Sequence, residues 1–254
     1  MQLTILGVGS SAGTPAVGCM CATCTSSDSR NKRTRCSSMV TLDDGRVILI
    51  DTSPDLRQQA LREGMRRVDA VLYTHTHADH LHGIDDLRAF CQINRCQIPL
   101  YSYPESIAHI QEKFGYTLRE PIPQYWDLPV LAAHVVEAPF EAAGQLVTPI
   151  PIMHGKIRIY AYRIGNLVYM TDVSEIPESS YALLQGVDVL LIDCLREKPH
   201  PTHVCVEQSL ALIERIGAKQ SVLIHMTHEL EYYALQARLP ANVVVGYDGM
   251  QLNF

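Results

Sequence analysis

The sequence predicts an α/β (α+β) fold in which two β-sheets pack together and are covered by outer helices. Short apolar runs bounded by Gly, Asp or Pro are typical of strands, and they alternate along the chain with segments of helical periodicity. The 254 residues are 47% hydrophobic and 19% charged, which is enough for one large core, and no Gly/Ser/Pro-rich linker divides them. We therefore expect a single domain over residues 1–254.

The predicted elements follow in order along the chain. The opening strand, at residues 3–9, runs into a loop of small residues at 7–18. Further strands are predicted at residues 38–42, 47–50, 70–74, 98–101, 145–152, 159–164, 167–170, 187–192 and 221–224. Helices are predicted at residues 54–63, 85–91, 105–114, 178–185, 204–216 and 229–237. Polar residues collect at the strand ends, where a functional site is therefore expected.

The net charge and the N-terminal residues limit which partners and which cellular location are expected for this protein. The first residues lack the basic start and apolar run of a signal peptide, and no apolar run is long enough to span a membrane, so we expect a cytoplasmic protein without a membrane partner. A net charge of −6 disfavours extended nucleic acid but not a small phosphodiester, because bound cations dominate a local field. A homodimer is compatible with the sequence. Arg30, Lys32, Arg33 and Arg35 are expected to form a solvated loop face.

A cluster of histidines is the most informative feature. The apolar strand at residues 68–74 ends in His75, His77, Asp79 and His80. Residues two apart on an extended backbone point to the same side, so His75 and His77 can chelate one ion. Asp79 and His80 lie beyond the turn and can reach a second ion. Imidazole and carboxylate together suit zinc, manganese or iron; the alternative interpretation is a solvated histidine-rich loop.

This HxHxDH segment resembles the signature of the metallo-β-lactamase superfamily. The resemblance continues along the chain, because His154, Asp172 and His225 each end a predicted strand. It implies a four-layered αβ/βα sandwich that holds two catalytic divalent metals, zinc or manganese. It also implies the ligands: His75, His77 and His154 for one metal, Asp79, His80 and His225 for the other, and Asp172 as the bridge.

The resemblance also implies a reaction. Two cations about 3.5–4 Å apart can share a water molecule and lower its pKa towards neutrality, so that the resulting hydroxide attacks an electrophile. A phosphodiester suits this arrangement, because its non-bridging oxygens can lie across both ions. Asp79, which we count both as a ligand and as a catalytic residue, favours the two-metal form of the site.

A second cluster consists of thiols. Cys19, Cys21 and Cys24 form a CxCxxC motif, which is one ligand short of a tetrahedral zinc site. His228, three residues beyond His225, is the candidate fourth ligand of one structural zinc ion. The alternative is that the three thiols are buried or idle. Disulfides are not expected, because a chain with this much core does not need them.

The CxCxxC motif, the HxHxDH motif and the closing HxxH together resemble the phosphoribosyl cyclic phosphate phosphodiesterases of the carbon–phosphorus lyase pathway, the PhnP family. That resemblance implies hydrolysis of a cyclic phosphate such as 5-phosphoribosyl 1,2-cyclic phosphate. It also implies a histidine that donates a proton to the leaving oxygen, placed at His203, with His200 between two prolines as the competitor. His82 is interpreted as a surface or supporting residue rather than a ligand.

Three other functions share these features. A ribonuclease Z-like enzyme would use the same ligands, but it normally carries an extended basic, Gly-rich arm that this sequence lacks. A thioester or lactone hydrolase also shares the ligands. A non-catalytic metal-binding or carrier protein of the same fold belongs to a different class, and the complete ligand set argues against it.

Overall fold

The computed structural model of the chain describes residues 1–122, 124 and 126–254. The strands of these residues are β1 (Gln2–Gly7), β2 (Ser37–Thr41), β3 (Val47–Ile50), β4 (Ala70–Leu72), β5 (Ile98–Ser102), β6 (Leu131–Val135), β7 (Phe140–Ala142), β8 (Gln145–His154), β9 (Ile157–Ile164), β10 (Leu167–Met170), β11 (Val189–Asp193), β12 (Gln220–Ile224), β13 (Val243–Val245) and β14 (Gln251–Asn253). The α-helices are α1 (Ala22–Thr25), α2 (Leu56–Arg62), α3 (Ala78–Leu81), α4 (Leu87–Asn94), α5 (Pro104–Phe114), α6 (Val206–Ile216) and α7 (Tyr232–Gln236).

Within the described residues the strands form two seven-stranded sheets. The first has the order β14-β1-β2-β3-β4-β5-β6 and the second the order β13-β12-β11-β10-β9-β8-β7. Strands β3 to β6 are parallel to one another, and so are β10 to β13. Parallel strands of one sheet end at the same edge, so the residues that follow β3 and β4 lie together at one edge of the first sheet. The residues that follow β10, β11 and β12 lie together at one edge of the second sheet. The two sets can converge where these edges meet. The predicted pair of sheets is confirmed.

The core explains why the strands are apolar on both faces. Ile48 and Ile50 of β3 belong to the large cluster between the sheets, whereas Leu49 belongs to the cluster under the outer helices. Alternate residues of a strand point to opposite faces, so a strand covered on both sides has no polar face. This double burial produces the continuous Val-Ile-Leu-Ile run of β3. The layers are thus helix, sheet, sheet and helix.

The observed elements depart from the prediction in three helices and in several short additional elements. The predicted helix at 178–185 is a 3₁₀ helix, Glu178–Leu184, and the one at 85–91 begins as a 3₁₀ turn, Ile84–Asp86, before α4. The predicted helix at 229–237 shortens to α7. The short strands β6, β7, β13 and β14 and the one-turn helices α1 and α3 are additional elements that are not predicted. Strands β7, β13 and β14 have only three residues each, too few to show an alternation.

Two further features bear on the sequence expectations. All eight cysteines lie in the described part of the chain, and none of them forms a disulfide. None of the helices in that part is both long and apolar enough to cross a lipid bilayer.

Candidate functional site

The seven expected catalytic ligands meet at the edge where the parallel strands end. His75 and His77 follow β4, and the short helix α3 carries Asp79 and His80. The remaining three come from the other sheet: His154 ends β8, Asp172 follows β10 and His225 follows β12. Each sheet therefore supplies part of one cluster, and the two parts meet only because the sheets pack against each other.

The donor atoms of the seven expected ligands fall into two groups, and a third group, formed by Asp172, His203 and His225, overlaps both. His75, His77, His154 and Asp172 each offer an atom within 4.8 Å of the others, and so do Asp79, His80 and His225.

Asp172 lies between the two groups. Its Oδ2 is 3.8 Å from Nε2 of His75, on the side of the first group. Its Oδ1 is 3.2 Å from Nε2 of His80 and 3.4 Å from Nε2 of His225, on the side of the second group. One carboxylate therefore faces both groups, which is the position of a bridging ligand.

Buried ring nitrogens without hydrogen-bond partners indicate whether these residues fit metal ions. The Nε2 atoms of His75, His80 and His225 are buried and have no hydrogen-bond partner among the described residues. A buried polar atom without a partner costs about 1–3 kcal/mol, so three of them in one cluster call for a ligand. Nitrogen and carboxylate donors are those that zinc and manganese accept. The residues therefore fit two divalent ions.

The electrostatics of the cluster also favour cations. Burial disfavours the charged form of Asp172, but His225 and His80 beside it hold the pKa of that carboxyl well below its usual range. Burial likewise disfavours a charged His225, yet Asp172 and Asp193 raise its pKa to about 10. Despite burial, the pKa of His80 is raised by Asp172 as well. A divalent ion in the second group would replace the protons on these two histidines.

Hydrogen bonds on the far side of the rings fix their orientation. The Nδ1–H of His80 donates to Oδ2 of Asp51 at 2.8 Å, and Asp51 also accepts from the backbone N–H and the hydroxyl of Thr74, each at 2.8 Å. The Nδ1–H of His154 donates to the carbonyl oxygen of Thr202 at 2.8 Å. Such contacts leave Nε2 free to bind a metal. Asp51 is not among the predicted site residues, because its only sequence signal is its place directly after an apolar strand.

The two candidate proton donors occupy different places. His203 stacks on the candidate ligand His225, with ring centroids 4.9 Å apart, and its Nε2 is 3.9 Å from Oδ2 of Asp172. The ring of His200 packs against His203, with centroids 5.2 Å apart, and its Nδ1 lies 3.2 Å from the hydroxyl of Thr202. The structure therefore brings His203 to the cluster and places His200 behind it.

His82 does not join this cluster. Its side chain is exposed and its ring packs against Phe114, and it lies outside the donor groups found among the described residues. This position agrees with its interpretation as a surface residue.

The thiol cluster forms a second, separate group. Cys19, Cys21, Cys24 and His228 place their donor atoms within 4.8 Å of one another. Nδ1 of His228 is 3.3 Å from the sulfur of Cys21 and 3.5 Å from that of Cys19. The contact with His228 lowers the pKa of Cys21 to about 6, which favours the thiolate that binds metals. Three sulfurs and one nitrogen fit a tetrahedral zinc ion.

The loop that carries His225 and His228 is held by hydrogen bonds from Arg33, which lies in the N-terminal part of the chain. Arg33 is 2% exposed, and its guanidinium donates to the carbonyl oxygens of Thr227 and Leu230 at 3.0 and 2.6 Å. The expectation that Arg33 belongs to a solvated face was wrong, because its partners lie almost 200 residues further along the chain and leave no trace in the local sequence.

The fold and the ligands together define a class of protein. A family model described as "Beta-lactamase superfamily domain" matches residues 46–226, more than half of the chain. The chain therefore belongs to the β-lactamase superfamily and has the metallo-β-lactamase fold. Within the superfamily it resembles the PhnP family. A crystal structure described as a new diphosphatase from that family is 40% identical, with a TM-score of 0.92, over 100% of this chain and 97% of that one.

Other relatives differ in name. An octanoyltransferase of Porphyromonas gingivalis is 39% identical over 255 residues, which are 99% of this chain but 51% of the relative, so the chain spans about half the length of that protein. Coenzyme PQQ synthesis protein B of Methylorubrum extorquens is 28% identical over 76% of this chain and 72% of the relative. Zinc-bound PqqB from Methylobacterium extorquens has a TM-score of 0.79 at 23% identity, over 100% of both chains, and shares the fold.

Proposed function

We propose that the chain is a dinuclear, divalent-metal phosphodiesterase that acts on a small cyclic phosphate such as 5-phosphoribosyl 1,2-cyclic phosphate. The observation that carries this proposal is the position of Asp172, whose two oxygens face two separate groups of donor atoms, with His203 at the edge of the cluster. Resemblance to the PhnP family supports the choice of a phosphate substrate. The metals are zinc or manganese.

Each residue of the cluster has a separate role in the proposed reaction. Two divalent ions, when bound, would activate a water molecule and neutralise charge on the phosphate oxygens. Asp172 would bind both ions, because its two oxygens face the two groups of donor atoms. Asp79 belongs to the second donor group and completes the two-metal site.

His203 is the candidate proton donor. Its Nδ1–H is bound to Asp193 at 2.8 Å, so its Nε2 is the atom that faces the cluster. From there it would protonate the departing sugar oxygen, which is a poor leaving group without a proton.

We also propose that Cys19, Cys21, Cys24 and His228 hold one structural zinc ion. This site shares a loop with His225, because His228 lies three residues beyond it. A zinc ion there would fix the N-terminal loop to the edge of the catalytic cluster and contribute to folding stability.

Two observations favour other substrates of the same site. The PhnP-family neighbour is described as a diphosphatase, which favours an organic diphosphate as the second candidate. The relative named octanoyltransferase favours an acyl thioester, although the chain matches 51% of that protein, and acyl transfer need not belong to the matching part.

A substrate panel tests the proposal. Metal-replete protein is assayed with a cyclic phosphosugar, bis(p-nitrophenyl) phosphate, an organic diphosphate, an octanoyl thioester and a 3′-extended transfer RNA. We expect the cyclic phosphosugar to be hydrolysed, and chelator treatment to abolish turnover.

The matched variants are Asp172→Asn and Asp44→Asn. Asn tolerates the left-handed backbone at position 172 but cannot bridge two cations, so turnover should be lost while the protein stays folded. Asp44 lies in an exposed turn beside Arg46, and its variant should keep full activity. Hydrolysis of the thioester or the RNA alone, or normal turnover by Asp172→Asn, would contradict the proposal.

A further inference from the structure

Asp193 is a buried carboxylate that the seven ligands and the proton donor do not include. It is the last residue of β11, and its side chain is fully buried. The parallel register pairs Asp193 with Ile224 of β12, which places it beside the ligand His225. The loop after β11 then returns with His203 on the other side of the carboxylate. Two functional histidines thus flank one acid.

Each carboxylate oxygen of Asp193 faces one of these histidines. Oδ2 accepts the Nδ1–H of His203 at 2.8 Å. Oδ1 is 3.6 Å from Nδ1 of His225, and these two atoms are both buried without a hydrogen-bond partner among the described residues. Two unpaired buried polar atoms that face each other need only a small shift to form a hydrogen bond.

We propose that Asp193 is a positioning residue shared by the metal ligand His225 and the proton donor His203. A carboxylate only accepts hydrogen bonds, so it holds a proton on Nδ1 of both rings; His225 then offers a bare Nε2 to a metal, whereas His203 carries a second proton on Nε2 when it acts as the donor. In both rings this leaves Nε2 directed at the cluster, where His225 is 3.4 Å and His203 is 3.9 Å from Asp172. One side chain therefore sets the geometry of metal binding and of proton donation together.

The metal-binding part of this proposal is tested with Co²⁺ alone. Co²⁺ is titrated into metal-free Asp193→Asn, and its visible absorption is followed. The amide accepts from one ring but presents an N–H₂ group to the other, so one ring loses its fixed orientation. We expect Co²⁺ affinity at the catalytic cluster to fall by about 10- to 100-fold, the usual effect of losing a residue that orients a ligand. Unchanged affinity and an unchanged spectrum would overturn this part.

The catalytic part rests on the proposed function and uses two leaving groups at saturating metal. Through His203, Asp193→Asn should lower kcat for a cyclic phosphosugar by about 10²- to 10⁴-fold and leave bis(p-nitrophenyl) phosphate nearly unaffected, because an aryl oxide departs without a proton. In a His203→Ala background the Asn substitution should add almost nothing, because both changes remove one function. Equal losses on both substrates, or losses that multiply in the double variant, would overturn this part.

Asp188→Asn is the matched control. Asp188 precedes the same strand at its opposite end and pairs with Lys219 at 2.8 Å, away from the cluster. The Asp188→Asn variant should keep the Co²⁺ affinity and the turnover of the wild-type protein. If the wild-type chain hydrolyses neither phosphodiester, the proposed function fails, whereas the Co²⁺ titration still decides whether Asp193 orients the ligand.

Discussion

Replacing Asp51 with Asn tests whether the contacts behind the ligands control metal binding. Asp51 is fully buried and accepts three hydrogen bonds: from Nδ1–H of His80, and from the backbone N–H and the hydroxyl of Thr74. Its φ of 59° lies in the left-handed region, which Asn tolerates better than most residues do. The substitution therefore removes acceptor capacity without adding backbone strain.

The size of the effect follows from these contacts. An amide oxygen can accept from Thr74 or from His80, but the N–H₂ group then faces the other donor. At least one buried donor is left without a partner, which costs about 1–3 kcal/mol of folding stability. The ring of His80 is no longer held, so metal affinity at the second donor group should fall by about 10- to 100-fold.

Two measurements decide the outcome for Asp51→Asn. Isothermal titration with Zn²⁺ gives the affinity, and chemical denaturation of the metal-free protein gives the free energy of unfolding. Asp44→Asn, a change at an exposed aspartate, serves as the control. Wild-type metal affinity in Asp51→Asn would refute the reasoning, because it would mean that His80 keeps its orientation without the carboxylate.

Substitutions at the proton donor, at the thiol cluster and at a tightly packed glycine should each change a different property of the protein. His203→Ala should lower turnover of a cyclic phosphate by about 10²- to 10⁴-fold and spare an aryl phosphodiester; equal losses on both would place His203 in binding or folding. His228→Ala should remove one zinc ion per chain and lower the melting temperature, whereas unchanged zinc content by elemental analysis would exclude it as a ligand. Gly83→Ala should lower the free energy of unfolding by about 1–3 kcal/mol, because the new Cβ would lie 2.0 Å from the carbonyl oxygen of Ser53. Gly115→Ala, where a Cβ meets nothing within 4 Å, should change it by less than about 0.5 kcal/mol in the same denaturation assay.

The sequence predicts that the candidate ligands converge, because three of them stand at the ends of apolar strands and the HxHxDH segment follows another apolar strand. A buried strand that stops at a histidine or aspartate marks the edge of a sheet, and His154, Asp172 and His225 all follow this pattern. The sheets themselves are predictable for the same reason, since strands buried on both faces are continuously apolar.

What the sequence does not reveal depends on contacts between distant segments. Asp51 and Asp193 are single acids at strand ends, and nothing in their spacing links them to His80 or His225. Arg33 is similar, because the carbonyl groups that bind it come from residues 227 and 230. The local sequence does not distinguish a buried arginine from a solvated one, so only the folded structure shows which of the two Arg33 is.

Three residues at the candidate site adopt a backbone conformation that costs stability. Asp51, Asp172 and His225 all have φ between 55° and 59°, although none of them is glycine. This conformation costs about 1–2 kcal/mol for each residue with a Cβ. Asp51 and His225 come directly after β3 and β12, so an extended backbone would continue the alternation of faces and direct their side chains along the sheet normal. The left-handed turn redirects each side chain towards the common edge, and neighbouring hydrogen bonds, such as Met226 N–H to the Val8 carbonyl at 2.8 Å, hold the turn in place. Strain of this kind persists where the surroundings enforce it and where the site requires it.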